Sequence, residues 1–215
     1  MPLPMKPYMP PLEPRLSLVH EDGALLVFDK PSGLLSVPGR TEPDCLEARV
    51  IERYPEALTV HRLDMATSGV IVMARSKEAL AHLGKQFEKR QTRKRYIAVV
   101  EGAPDADSGT IDAPLRCDWP NRPLQMICEE HGRPAVTHWE VLERGEGRTR
   151  LALTPVTGRS HQLRVHLASI GHPILGDEWY GDATSAPRLL LHAERLELRH
   201  PNGGAWMSFE VRAPF

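Results

Sequence analysis

Apolar and polar residues alternate with a period of two along several stretches of this chain, and recur every three to four residues along three others. Alternation marks a half-buried strand, and the longer period an amphipathic helix. Residues 16–20 and 24–29 flank Glu21-Asp22-Gly23, whose D-G dipeptide signals a hairpin. Pro31-Ser32-Gly33 then breaks the chain. Leu46, Val50, Ile51 and Tyr54 keep helical spacing as far as Pro55, which ends that helix. Residues 69–74 are a short Val- and Ile-rich run and read as a buried strand. Ser76 is placed to N-cap a helix running to about Arg90, with Leu80, Leu83 and Phe87 on one face. Tyr96, Ala98 and Val100 alternate with Arg95, Ile97 and Val99, so another strand follows. Strands and loops fill residues 110–153, with a hairpin of residues 136–142 and 149–153 around Gly145-Glu146-Gly147. Leu163, Leu167 and Ile170 mark a last helix, closed by Gly171, and strand character returns in residues 188–199 and 206–212. There is no internal repeat and no clear interdomain linker. The pattern is that of an α+β single domain built on a large sheet, bent into two lobes.

Composition narrows the class without naming it. The 215 residues carry 27 Lys+Arg against 28 Asp+Glu, with 41% hydrophobic residues and 20 prolines. Plentiful apolar residues and a balanced charge argue against a disordered chain. No apolar run approaches the ~20 residues of a membrane span, and the start, MPLPMKPYMP, lacks the apolar core of a secretory signal. Residues 1–14 hold six prolines and read as an extended arm ahead of a catalytic region beginning near residue 16. Cys45, Cys117 and Cys128 form no C-x-x-C pair, which fits inert thiols in a reducing cytoplasm better than a disulfide or zinc scaffold. His161 and His166 stand five apart, a spacing at which neither helix nor strand lets them share a metal easily.

Three segments combine charge with backbone punctuation. In His61-Arg62-Leu63-Asp64-Met65-Ala66-Thr67-Ser68-Gly69, a carboxylate stands just before the buried strand. From spacing alone it is either a turn cap or an anchored nucleophile or base, and the cap is the commoner reading. In Lys94-Arg95-Tyr96-Ile97-Ala98, the Tyr96 ring shares a face with Ala98 and Val100 and could be core. In Gly158-Arg159-Ser160-His161-Gln162-Leu163-Arg164-Val165-His166, His161 and Arg164 lie on one helix face. Arg164 also has apolar neighbours, and a semi-buried Arg requires an acidic partner. Residues 85–95 add six cations against Glu88, a local excess of +5 within a chain of net charge -1. A helix C-terminus accounts for part of that run. The remainder suits either a solvated face or a phosphate-contacting ridge of Lys89, Arg90, Arg93 and Lys94.

In this order the three segments resemble the motifs of the RluA-type pseudouridine synthases: H-R-L-D-x-x-T-S-G, K-x-Y-x-A and G-R-x-H-Q-[LI]-R-x-H. A fourth signature, K-P-x-G, is matched by Lys30-Pro31-Ser32-Gly33, although Asp29 stands where the family often has Asn. The resemblance runs from about residue 16 to the C-terminus. It implies the pseudouridine synthase fold, a large, mainly antiparallel mixed sheet in two lobes with a central active-site cleft. Residues 33–40 and 117–123 resemble a dual-specificity branch of the family. That branch lacks an S4-like RNA-binding domain, and its substrates are the tRNA anticodon stem-loop, at uridine 32, and a 23S rRNA hairpin.

By this resemblance Asp64 is the essential carboxylate, and the cap reading gives way. The reaction detaches C1′ of the ribose from N1 of uracil, turns the base and rejoins C1′ to C5. Three routes stay open for Asp64: attack at C1′, deprotonation of the sugar to a glycal, or addition to C6. Arg164 would pair with Asp64 and hold it ionised. Tyr96 would stack on the flipped uracil and serve proton transfer at C5. Arg62 would fill the place the base vacates, with His61 in support. No redox change or group donor is involved, so no cofactor is implied, and no partner protein or membrane. Two other classes fit less well. A binding module has no need of a buried carboxylate, and a retaining hydrolase needs a second one about 5 Å away.

Overall fold

The computed structural model describes residues 7–215, so the first six residues of the Pro-rich arm lie outside it. The elements in chain order are β1 (Leu18–Glu21), β2 (Leu25–Lys30), α1 (Leu46–Arg53), β3 (Leu58–Thr59), β4 (Ser68–Ala74), α2 (Lys77–Glu88), β5 (Arg93–Glu101), β6 (Ser108–Asp112), β7 (Leu115–Cys117), β8 (Gln125–Ile127), β9 (Val136–Gly145), β10 (Arg148–Pro155), α3 (Gln162–Ser169), β11 (Leu191–Arg199) and β12 (Trp206–Glu210). Sheet outweighs helix, as the patterning requires. Among the described residues no helix is long and apolar enough to cross a membrane.

The chain forms two compact units. One holds Tyr8–Lys94 and His192–Phe215, the other Arg95–Leu191. In the first, the strand order is β1-β2-β4-β11, with β3 on β4 and β12 on β11. The pairs are antiparallel except β4 with β11, where Ser68 and Gly69 run parallel to His192 and Ala193. Every residue of β4 is buried, the state expected of a strand covered on both faces. Leu25 and Val27 join Val70, Val72 and Ala74 on one face, where Ala79 and Leu83 of α2 and Phe209 of β12 close the core. Gly69 has φ +113°, and a Cβ there would sit 2.2 Å from the Ala193 carbonyl oxygen, so only glycine lets β11 approach.

In the second unit β5, β10, β9 and β6 form an antiparallel run, and β7 pairs with β8. Leu115, Ala135 and Val165 make a small core beneath α3, with Ile127 and Tyr180 packed against it.

The turn at Asp22 forms as its sequence suggests: Oδ1 accepts the N–H groups of Ala24 and Leu25 at 2.8 and 3.0 Å. Ser76 caps α2, its hydroxyl accepting from Ala79 N–H at 3.1 Å. Gly171 follows α3 with φ +82°. Two expectations need correction. Ile51 does not face the core but is exposed, and the third buried position of α1 is Arg49 instead. Arg49 can go inside because Asp44 accepts two hydrogen bonds from its guanidinium, each at 2.7 Å. The helix expected to reach Arg90 ends at Glu88, because Arg90 turns into the left-handed region with φ +55°. The three cysteines are free thiols, and Cys45 caps α1, its sulfur accepting from Ala48 N–H.

Candidate active site

The segment around Asp64 has no regular structure, so its shape depends on hydrogen bonds from elsewhere. Four successive carbonyls are held. Leu63 O accepts from the Ser36 hydroxyl at 2.6 Å, and Leu63 N–H donates back to the same oxygen at 3.1 Å. Asp64 O accepts from Thr67 N–H at 3.1 Å and closes the turn. Met65 O receives the Gly33 N–H at 2.9 Å and the Lys30 ammonium at 3.1 Å. Ala66 O receives the Ser32 hydroxyl at 2.6 Å. Lys30 is fully buried, and its ammonium also donates to the carbonyls of Pro31 and Leu34 at 2.9 and 2.7 Å. K-P-x-G is thus a brace for the Asp64 turn. The backbone on either side of Asp64 is fixed while its side chain stays half-buried.

His61 works inside the fold. Its Nε2 accepts the Val72 N–H at 3.1 Å, and its ring stacks on Phe87 with centroids 4.5 Å apart. Burial, and then the Lys94 ammonium, push its pKa down to about 3, which keeps it neutral and able to accept. His61 therefore anchors the start of the segment that carries Arg62, which is exposed.

The pleat of β5 divides the cationic run. Arg93 and Arg95 alternate with Lys94 and Tyr96. Arg93 is exposed, 3.6 Å from Glu197 and 5.2 Å over the Trp206 ring. Lys94 is half-buried, and burial followed by repulsion from Arg90 lowers its pKa to about 8. Lys89 and Arg90 are exposed in the turn after α2. Of the four residues expected to form one ridge, Lys89, Arg90 and Arg93 are open to solvent and Lys94 is turned inward.

Tyr96 lies opposite Leu153 of β10 and shares its face of β5 with buried Ala98 and Val100. Its own side chain is half-buried, four residues into the strand.

The third motif builds α3 onto β9. Gln162 Nε2 donates to Val136 O and to the Thr137 hydroxyl, both at 3.0 Å, while its Oε1 accepts from the Thr157 hydroxyl at 2.6 Å. His166 is held by the Thr137 hydroxyl and the Ala113 carbonyl, both at 2.9 Å, so both ring nitrogens are engaged. His161, with φ +53°, is 2.7 Å from the Tyr180 hydroxyl, which also accepts from Gln125 N–H. These polar contacts fix the helix that presents Arg164.

Arg164 is 3% exposed, and its acidic partner in this unit is Asp177, itself fully buried. Nε and Nη2 donate to the two carboxylate oxygens at 2.8 and 2.6 Å, and the guanidinium lies 4.8 Å over Trp179 and 5.1 Å over Tyr180. Asp177 Oδ1 also accepts the N–H groups of Trp179 and Tyr180. Sequence reasoning required an acid for Arg164 but missed Asp177, which stands thirteen residues further on, beyond the end of the helix.

Residues 24–169 match the family described as RNA pseudouridylate synthase, and the chain belongs to that family. Among its relatives, the dual-specificity RNA pseudouridine synthase RluA of Escherichia coli (strain K12) is 52% identical over 98% of this chain and 99% of its own length. The protein of the same description from Pasteurella multocida (strain Pm70) is 49% identical over 97% and 98%. Among solved structures, human RNA pseudouridylate synthase domain containing 1 is similar with a TM-score of 0.78 and 29% identity, over 93% of this chain and 84% of that one. This chain is accordingly an isomerase that converts uridine in RNA to pseudouridine.

Proposed function

We propose that this enzyme acts on uridine 32 of the tRNA anticodon stem-loop and on a uridine in a 23S rRNA hairpin, in the cytoplasm, with Asp64 as the essential catalytic residue. The observation that carries the assignment of Asp64 is the brace from residues 30–36, which fixes the backbone on both sides of a half-buried carboxylate. The substrate choice rests on likeness to relatives described as dual-specificity enzymes.

In this reading a uridine is extruded from its loop at a cost of a few kcal/mol, and the planar guanidinium of Arg62 takes its place in the stack. Lys89, Arg90 and Arg93 neutralise backbone phosphates, while His61 anchors the segment that carries Arg62. Arg164, its guanidinium oriented by Asp177, is the cation that this reading assigns to the Asp64 carboxylate. Asp64 acts on the flipped uridine, the C1′–N1 bond breaks, the base turns, and C1′ joins C5. The proton lost from C5 is matched by one taken up at the freed N1, and Tyr96 stacks on the ring and mediates the transfer at C5. The atoms of substrate and product balance without any added reagent, so the reading calls for no cofactor.

RNA carrying 5-tritiated uridine tests the reaction. Tritium should pass to water with no additive present, and free uracil should not form. Pseudouridine mapping of total RNA from cells lacking the protein tests the substrates. Loss of the modification at position 32 and in one 23S hairpin is expected, and no change at either would refute the substrate assignment.

A further inference from the structure

We propose that residues 8–15 of the N-terminal arm are a strap that sets the position of Asp64 through Tyr8. The proposal rests on the assignment of Asp64 as the catalytic residue. The first residues of the arm after Pro7 are fastened rather than loose. The Tyr8 hydroxyl donates to Asp44 O at 2.9 Å and accepts the Leu35 N–H at 3.0 Å. Further along, Arg15 O accepts from the buried Arg49 guanidinium at 3.5 Å, and Ser17 O accepts Asp29 N–H at 2.9 Å.

Tyr8 thereby holds the backbone one residue ahead of Ser36. Ser36 is 4% exposed, and its hydroxyl grips both the carbonyl and the amide of Leu63, the residue before Asp64. Leu35 and Ser36 have no regular structure of their own; their carbonyls accept the first amides of α1, from Leu46 and Glu47, at 2.8 and 3.2 Å. The loop is thus held on its carbonyl side by α1, while the Leu35 amide, on the other side, is held by Tyr8. Releasing the Tyr8 bond frees the Leu35 amide while Lys30 still holds Leu34 O and α1 the next two carbonyls, and the shift of that amide passes through Ser36 to Leu63 and Asp64. A displacement of about 1 Å in a catalytic group is enough to slow chemistry severely. Tyr8 is a positioning residue in this account, one hydroxyl and one serine away from the carboxylate.

Tyr8→Phe keeps the ring and removes only the hydroxyl. Single-turnover tritium release at saturating RNA should fall by about tenfold, with the RNA Kd unchanged, well below the thermal midpoint of the variant. Because both groups act along one chain of contacts, adding Tyr8→Phe to Ser36→Ala should slow release by less than about twofold more. Asp64→Asn, measured alongside, should be inactive. Wild-type turnover in Tyr8→Phe with Asp64→Asn inactive would overturn the strap and leave the function standing. Lost RNA affinity with an unchanged saturating rate would overturn it too, making the arm an RNA contact. Fully multiplicative losses in the double variant would remove Ser36 as the relay. Turnover by Asp64→Asn would instead remove the reading on which the strap depends.

Discussion

Asp177→Asn removes the counter-charge of one buried ion pair. Arg164 and Asp177 are 3% and 0% exposed, and two hydrogen bonds of 2.8 and 2.6 Å join them. Asparagine keeps an oxygen to accept from the N–H groups of Trp179 and Tyr180, so the turn survives, but its NH2 replaces Oδ2 and faces the Arg164 Nε–H, so the counter-charge and that hydrogen bond are both lost. Removing one member of a buried pair costs about 3–5 kcal/mol, because the remaining charge stays out of water. For a chain of this size ~1 kcal/mol moves the thermal midpoint by about 2–4 °C, so a fall of roughly 6–20 °C is expected by circular dichroism. Tritium release at low temperature, where the folded state predominates, then reads the chemistry apart from stability. It should drop by about tenfold or more if Asp177 is what orients the guanidinium. Replacing both partners, Arg164→Met with Asp177→Leu, should recover part of the midpoint, since neither charge of the pair remains while the N–H groups of Trp179 and Tyr180 lose their acceptor, and none of the activity. A midpoint within about 2 °C of wild type, together with an unchanged rate, would refute the reasoning.

The same structure makes three other tests. Gly69→Ala would press a Cβ to 2.2 Å from Ala193 O at a backbone with φ +113°, so a loss above about 3 kcal/mol in urea unfolding is expected, and a silent substitution would contradict the close approach. Lys30→Met leaves the carbonyls of Pro31, Leu34 and Met65 without their buried ammonium donor, at about 1–3 kcal/mol for each carbonyl left unsatisfied. Saturating turnover should fall with RNA affinity preserved, and wild-type turnover would show that the brace is dispensable. Acid should destabilise the fold in two stages. His61, lowered to about 3 by burial and Lys94, and His166, lowered by burial against the pull of the Ala113 carbonyl, bind protons in the unfolded chain first. The His61 contribution is complete above about pH 6.5 and is lost as pH falls towards 3, at roughly 1.4 kcal/mol per pH unit, and that of His166 is lost in the same direction. For Asp22, burial raises the pKa but is outweighed by His20, the amides of Ala24 and Leu25, and His200, which bring it to about 2. Its contribution is present above about pH 4 and disappears as pH falls towards 2. Urea midpoints between pH 7 and 4 should therefore fall, and fall less in His61→Gln; an identical slope in that variant would contradict the neutral, accepting role of His61.

Much of this fold could be read from local signals. The Glu21-Asp22-Gly23 hairpin, the Ser76 cap, the buried run of β4 and the Gly171 stop all depend on neighbours within a few residues, and all appear where the sequence places them. Errors arise where a distant partner reverses a local preference. Arg49 displaces Ile51 from the core because Asp44, five residues back, neutralises it. The cationic run reads as one ridge in sequence, yet the two-residue period of β5 turns Lys94 inward towards His61. The motif residues were legible, but the groups that hold them were not. Lys30 reaches Met65 across thirty-five positions, Ser36 reaches Leu63 across twenty-seven, and Tyr8 reaches Leu35 across another twenty-seven. Asp177 shows the same limit: a buried Arg164 demanded an acid, but no spacing rule says which one. Glycine 69 stands between these cases, since its motif position was plain while its cause, the Ala193 carbonyl, lies on another strand.

The central claim is that Asp64 carries out the isomerisation. An anticodon stem-loop with [5-³H]uridine at position 32 is incubated with the wild-type protein and with Asp64→Asn, without additives, and released tritium and bound RNA are measured together. Complete tritium release by the wild type, none by the variant, and matched RNA affinity are the expected result. Turnover by Asp64→Asn, or free uracil in place of pseudouridine, would contradict the account.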